Sequence, residues 1–177
     1  MTKKITITLP DGSQKQAQAG ITGLEIASMI GVGLAKAAIA FEVNGEQRDL
    51  SDAVSEDSSI SIFTIDSKEG LEIMRHTVAA QVLARAIKNL YPNAKLAIGP
   101  TIDDGFYYDF LSDKTVSIDD LPKIEKEMEK IIASNSIINK TIHSKEEAMS
   151  AFAAIDEPYK VKIIEDSTQD SNFQIYN

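Results

Sequence analysis

Cysteine and tryptophan are absent from the 177-residue chain, and histidine occurs only at His76 and His143. Without cysteine there can be no disulfide, thiolate zinc site or thiol nucleophile, and two imidazoles leave little for a histidine-built metal centre. Positive charge is also scarce: 18 Lys and Arg stand against 27 Asp and Glu, a net charge of −9 at pH 7. A chain of that sign has no global field to hold a polyanion, so nucleic acid has to be met by local groups. Long apolar runs are missing too. The N-terminus alternates Ile and Thr instead of forming the ~7–15-residue apolar core of a signal peptide, and no stretch approaches the ~18 residues of a membrane span. The cytoplasm is the expected address. What is present is ordinary for a folded protein, with 43% hydrophobic and 25% charged residues, and the length suits one medium domain or two small ones.

The first part of the chain reads as sheet. Ile5-Thr6-Ile7-Thr8-Leu9 alternates with period two, Pro10-Asp11-Gly12-Ser13 is turn chemistry, and Gln14 to Ala19 continues extended, which together make a hairpin. Thr22 caps a short helix carrying Leu24, Ala27 and Ile30, ended by Gly31 and Gly33. Ile39 to Val43 is a strand, Asn44-Gly45 a hairpin turn, Gln47 to Leu50 a possible short strand, and Ser59 to Ile65 a final strand. The order β-β-α-β-β within residues 1–65 fits a β-grasp unit.

At Asp66-Ser67 the period changes to 3.6. Leu71, Met74, Val78, Val82, Ala86 and Leu90 mark the apolar stripe of a long helix closed by Pro92. Lys95 to Phe110 reads as two strands around a tight turn at Asp103-Asp104-Gly105. Asp119 or Asp120 caps a helix from Lys123 to Ser134, Lys140 to His143 is extended, and Ser144 with Glu147 forms a capping box for a helix through Ala154. Tyr159 to Ile164 and Phe173 to Tyr176 are expected strands. The fold class is therefore α+β, with a β-grasp unit over 1–65 and a second α+β unit over 66–177 that sets a long helix against an antiparallel sheet.

Few residues suggest chemistry. His76 lies near the edge of the helical stripe; a partly buried imidazole bonded to a carbonyl explains it, and a site residue is the alternative. Gln81, five positions on, points about 140° away on an ideal helix and shares a face with His76 only through a π-bulge. Alternation over Gly105-Phe106-Tyr107-Tyr108-Asp109-Phe110 puts Phe106, Tyr108 and Phe110 on one side, leaving the Tyr108 hydroxyl in need of a partner. Asp103, Asp104 and Asp109 suit a turn better than a magnesium site. Lys88, Lys95 and Lys160 are the local cations available to phosphate. Residues alone do not name a reaction.

Several segments resemble a known family. Leu9-Pro10-Asp11-Gly12-Ser13, Gly33-Leu34-Ala35-Lys36-Ala37 and Val43-Asn44-Gly45-Glu46 are similar to the TGS domain that opens bacterial threonyl-tRNA synthetases. Glu69 to Thr77, Ala94 to Pro100 with Tyr107-Tyr108-Asp109, and Tyr159-Lys160-Val161 resemble the proofreading domain that adjoins it. The resemblance implies the N-terminal portion of an enzyme that joins threonine to its tRNA with ATP and clears mischarged seryl-tRNA. It implies His76 and Lys160 as catalytic residues and Gln81 and Tyr108 as substrate-binding residues, with no metal held in this portion. ATP, magnesium and zinc are expected only in a catalytic domain beyond residue 177, and the Cys-x3-His motif that closes the editing centre is expected shortly after that residue. Partners implied are the acceptor end of threonine tRNA, held weakly, and the rest of the synthetase, with a homodimer expected only for the full-length enzyme and no membrane. The family's helix carries His-x3-His, whereas here Ala80 or Gln81 takes the second place. An amide does not titrate near neutrality, so it cannot serve as general base, and proofreading is expected to be impaired. A bulge between His76 and Leu83, with His76 and Gln81 facing Tyr108 and Lys160, is the expected outcome of the extra residue. The competing readings are a non-catalytic TGS-containing module that binds RNA or protein, and a free-standing deacylase, which the missing histidine disfavours.

Overall fold

A computed structural model describes residues 3–177 and divides the chain into two compact units, one ending at Arg75 and one beginning at His76. In the first, β1 (Lys4–Thr8) turns Ile5 and Ile7 inward, both buried, and leaves Thr6 and Thr8 on the other face. The turn to β2 (Gln14–Gln18) is tied by Asp11, whose carboxylate accepts the N–H and hydroxyl of Ser13. After β3 (Ile21–Thr22), Thr22 caps α1 (Gly23–Ile30) in a reciprocal box with Glu25. A second short helix, α2 (Val32–Ala37), precedes β4 (Ala38–Val43). Asn44 and Gly45 take φ of 52° and 86°, the left-handed pair a two-residue hairpin requires, and lead into β5 (Glu46–Asp49). The unit is completed by β6 (Ala53–Val54) and β7 (Ser58–Thr64).

The main sheet runs β2-β1-β7-β4-β5, with β1 and β7 parallel at its centre and the outer pairs antiparallel. Ile26 of α1 closes over Ile5, Ile7, Phe41, Val43 and Ile60, giving the β-grasp expected from the sequence. Two details differ. Residues 32–37 form α2 beyond the helix end expected at Gly31 and Gly33, and Leu24 is 47% exposed because α1 turns Gly23, Ile26 and Ala27 inward instead.

The long helix begins as α3 (Lys68–Thr77), whose Gly70 passes so close to the Thr64 carbonyl that a Cβ there would strike backbone. It continues as a π-helical segment, Val78–Leu83, in which the Ala84 N–H donates to the Ala79 carbonyl, and ends as α4 (Ala84–Leu90). The expected bulge is present. Its packing is not the expected one, since Leu71 and Met74 are exposed at 37% and 36%. The buried residues are Ala79, Ala84, Ala86 and Ile87, small side chains that admit a close neighbour. That neighbour is α5 (Leu121–Ala133), and Ile87, Tyr91, Ala94 and Ile124 make the core of the second unit.

The strands between are short: β8 (Lys95–Leu96), β9 (Thr101–Ile102), β10 (Gly105–Phe106) and β11 (Phe110–Leu111). β9 and β10 flank the Asp103-Asp104 turn, and β8 pairs with β11. The Ala97 N–H donates to the Asp109 carbonyl and the Asp109 N–H to the Ile98 carbonyl, so the two pairs are the ends of one irregular hairpin. Asp120, one of the two expected positions, is the N-cap residue of α5, but its carboxylate makes no capping bond there: it accepts the N–H and hydroxyl of Ser117, which caps a single 3-10 turn ahead of the helix. β12 (Lys140–His143) pairs antiparallel with β13 (Phe173–Tyr176), and Ser144 with Glu147 caps α6 (Lys145–Ala154) as expected. The segment expected as a strand over Tyr159–Ile164 is instead α7 (Pro158–Asp166). Its β-branched run mimics a strand, but Pro158 presets the first helical turn and only Ile164 is buried. No helix among the described residues is long and apolar enough to cross a membrane.

Candidate functional site

Tyr108 sits at the irregular centre of the hairpin, between residues whose backbones bond to Pro100 and Ile98. Tyr107 and Asp109 point to solvent while Phe106, Tyr108 and Phe110 are half-buried, as the alternation predicts. The Tyr108 ring lies flat against Gly99, where a Cβ would overlap it. On its other contact, the Lys160 ammonium from the first turn of α7 stands 5.6 Å from the ring centroid, within cation–π reach.

A carboxylate organises this corner. Glu157, at the start of α7 and 3% exposed, accepts the Leu96 N–H at 2.9 Å and ion-pairs with Lys88 at 2.7 Å. Burial raises the Tyr108 phenol above its ordinary value, and the Glu157 charge raises it further. Burial lowers the Lys160 ammonium, and Glu157 opposes that shift. A cation held on an aromatic face beside a neutral phenol can receive a phosphate or polarise an ester carbonyl while a flat base stacks nearby.

Gln81 lies in the π-helical segment and its amide donates to the Tyr176 carbonyl at 3.4 Å. His76 is exposed near the end of α3, and among the described residues no hydrogen bond or ion pair joins it to Gln81, Tyr108 or Lys160. Tyr108 and Lys160 are thus in direct contact, while the hydrogen bond of Gln81 runs to β13. Two of the three expected phosphate-binding lysines are already engaged: Lys88 also donates to the Ala94 carbonyl at 2.9 Å, and Lys95 pairs with Asp156. Glu157 escaped sequence reasoning. A lone acid before a proline looks like loop chemistry, and only the burial of Glu157 with its bonds to Lys88 and the Leu96 N–H sets it apart.

Residues 5–64 match the TGS domain family, so the β-grasp unit is a TGS domain. Over its whole length the chain is similar to the N-terminal region of threonine-tRNA ligases. It is 44% identical over 177 residues to that of Rhizobium etli (strain CIAT 652) and 43% over 176 residues to that of Sinorhizobium fredii (strain NBRC 101917 / NGR234), covering 100% and 99% of this chain. With the ligase of Acetivibrio thermocellus it shares 45% over 172 residues, 97% of the chain. It spans only 26%, 26% and 27% of these relatives' lengths, about a quarter of each.

Proposed function

We propose that the chain is the front portion of a threonine-tRNA ligase, an enzyme that joins threonine to its tRNA with ATP, and that its second unit meets the aminoacylated acceptor end during proofreading of seryl-tRNA. The observation that carries this reading is the similarity at 44% identity over 177 residues, which covers both units. In this reading residues 1–65 are the TGS domain and 66–177 the start of the editing domain. Lys160 supplies the cation for a phosphate or ester oxygen, Tyr108 the stacking face, Gln81 an uncharged contact to a ribose hydroxyl or water, and His76 the one imidazole able to move a proton nearby. The reading places no metal in this portion, whose sequence has no cysteine and two histidines. ATP, magnesium and zinc belong to the remaining three quarters of the ligase, as does homodimer formation, and the cytoplasm is its compartment. Alone, the chain does not activate threonine, because its sequence carries no ATP-binding signature, and does not hydrolyse seryl-tRNA, because Gln81 cannot take a proton at neutral pH.

The test is NMR titration of the chain with an RNA minihelix copying the acceptor stem of threonine tRNA. Tyr108 and Lys160 resonances should move with a minihelix ending in CCA and lose that response when the terminal adenosine is removed. With a net charge of −9, affinity should fall steeply with salt. Equal shifts with both minihelices, or none at these residues, would refute acceptor-end binding.

A further inference from the structure

The proposed function leaves one buried ionisable group unused. Glu157 is 3% exposed, a position at which a carboxylate is costly unless every lone pair is met. Its contacts reach four elements. The carboxylate accepts the Leu96 N–H of β8 at 2.9 Å and pairs with Lys88 of α4 at 2.7 Å. Its own N–H donates to the Phe152 carbonyl of α6 at 3.0 Å, and its carbonyl accepts the Val161 N–H at 3.2 Å, closing the first turn of α7. That turn carries Lys160.

We propose that Glu157 is a positioning residue for the Tyr108–Lys160 pair, a buried carboxylate that ties the first turn of α7 to β8 and α4 and so holds the Lys160 ammonium against the ring. The inference deepens the acceptor-end reading above and rests on it for its biological meaning, though not for its geometry. The charged and titratable groups around the carboxylate are Lys88 from α4, Lys95 from β8 with its partner Asp156, Tyr108 from the hairpin and Lys160 from α7 itself. Within that set Lys88 and Lys95 are neutralised by Glu157 and Asp156, which leaves Lys160 as the cation not engaged in an ion pair. Glu157 opposes the effect of burial on Lys160, so one side chain both fixes the ammonium in space and favours its charge. A merely structural clamp would do the first alone.

The experiment follows Lys160 by NMR in the full chain without RNA, assigned through Lys160→Arg, with ring-current displacement of its methylene protons identified by its loss in Tyr108→Leu. Glu157→Gln keeps an acceptor for the Leu96 N–H and removes the charge. The titration midpoint of Lys160 should fall in that variant while Lys4 and Lys15, distant in sequence and in the other unit, keep theirs. Lys88→Gln leaves the Glu157 carboxylate with one cation fewer, so the Lys160 midpoint should rise, and this variant decides the matter should Glu157→Gln not fold. A folded Glu157→Gln whose Lys160 midpoint and ring-current displacement match the parent overturns the proposal, as does an unchanged midpoint in Lys88→Gln. Failure of minihelix binding with these shifts intact would refute the acceptor-end reading alone.

Discussion

Replacing Gly99 with alanine should dismantle the Tyr108–Lys160 pair without touching either residue. A Cβ at position 99 overlaps the Cδ2 side of the Tyr108 ring and lies 3.1 Å from Cγ. Restoring ordinary separations of ~3.5–4.0 Å requires the ring to retreat by about 1.5 Å. The Lys160 ammonium stands 5.6 Å from the centroid, near the ~6 Å limit of the interaction, so a ring displacement of that size disrupts the geometry of the pair. Overpacking costs ~1–3 kcal/mol and the lost cation–π contact ~0.5–1, offset in part by the ~0.4–1 kcal/mol that alanine removes from unfolded-chain entropy. A net loss of about 1–3 kcal/mol remains. At ~4–8 °C per kcal/mol for a domain of this size, thermal unfolding of the second unit should show it plainly. A double-mutant cycle isolates the cause: in a Tyr108→Ala background, Gly99→Ala should cost close to nothing. The reasoning fails if Gly99→Ala is within ~0.5 kcal/mol of the parent, or if its cost persists in the Tyr108→Ala background.

Gly70→Ala should destabilise the first unit by at least the upper part of the ~1–3 kcal/mol range, because its Cβ would meet the Thr64 carbonyl, which is backbone and cannot swing aside; urea unfolding measures it. Gly33→Ala, in α2 with open space around it, should instead stabilise by ~0.5–1 kcal/mol in the same assay. Ser144→Ala removes the cap of α6 and should cost ~1 kcal/mol. The Ser144 backbone N–H, more than its hydroxyl, depresses the Glu147 carboxyl, so that contribution is present above the unfolded carboxyl value and lost as pH falls through the depressed one; because Ser144→Ala keeps the backbone N–H, acid titration should show the loss in both proteins. At alkaline pH, Lys160 and Tyr108 act in opposite directions. The folded chain sheds the Lys160 proton before the unfolded chain does, so its penalty is relieved as pH rises from the lowered value towards 10.5. The raised Tyr108 value means stability is lost as pH rises above 10, and absorbance at ~295 nm should show this phenol ionising later than free tyrosine.

Much of this was legible in the sequence because local signals and global packing agree. The Asn44-Gly45 turn, the Thr22 and Ser144 capping boxes and the alternation of Ile5 and Ile7 each specify geometry within a few residues. The misreadings fall where one pattern serves two structures. Val161, Ile163 and Ile164 suit a strand by propensity, and Pro158 starts a helix there instead. Asp120 looks like a cap and serves Ser117, one place earlier in the logic. Glu157 and Lys88 are far apart in sequence, so no local pattern could announce their ion pair.

The π-helical segment shows how a correct expectation can rest on the wrong residues. Leu71 and Met74 do not compel it, since both are exposed. The buried face of the second unit's helix does. Ala84, Ile87 and Tyr91 follow the three- and four-residue steps of one helical face, and all are buried. On an unbroken α-helix Ala79, five residues before Ala84, would lie about 140° from it and turn away from α5. With one residue absorbed by the wider turn, the five-residue step acts like a four-residue step of about 40°, and Ala79 rejoins that face with no exposure. Alanine is what allows this, because a larger side chain at 79 would not fit so closely packed a contact. Gln81 then projects from the widened turn itself and reaches the Tyr176 carbonyl of β13 with its amide N–H, leaving its carbonyl oxygen to accept a bond. The wide turn therefore presents a neutral, two-sided hydrogen-bonding group, chemically able to hold a hydroxyl and unable to remove its proton near neutral pH.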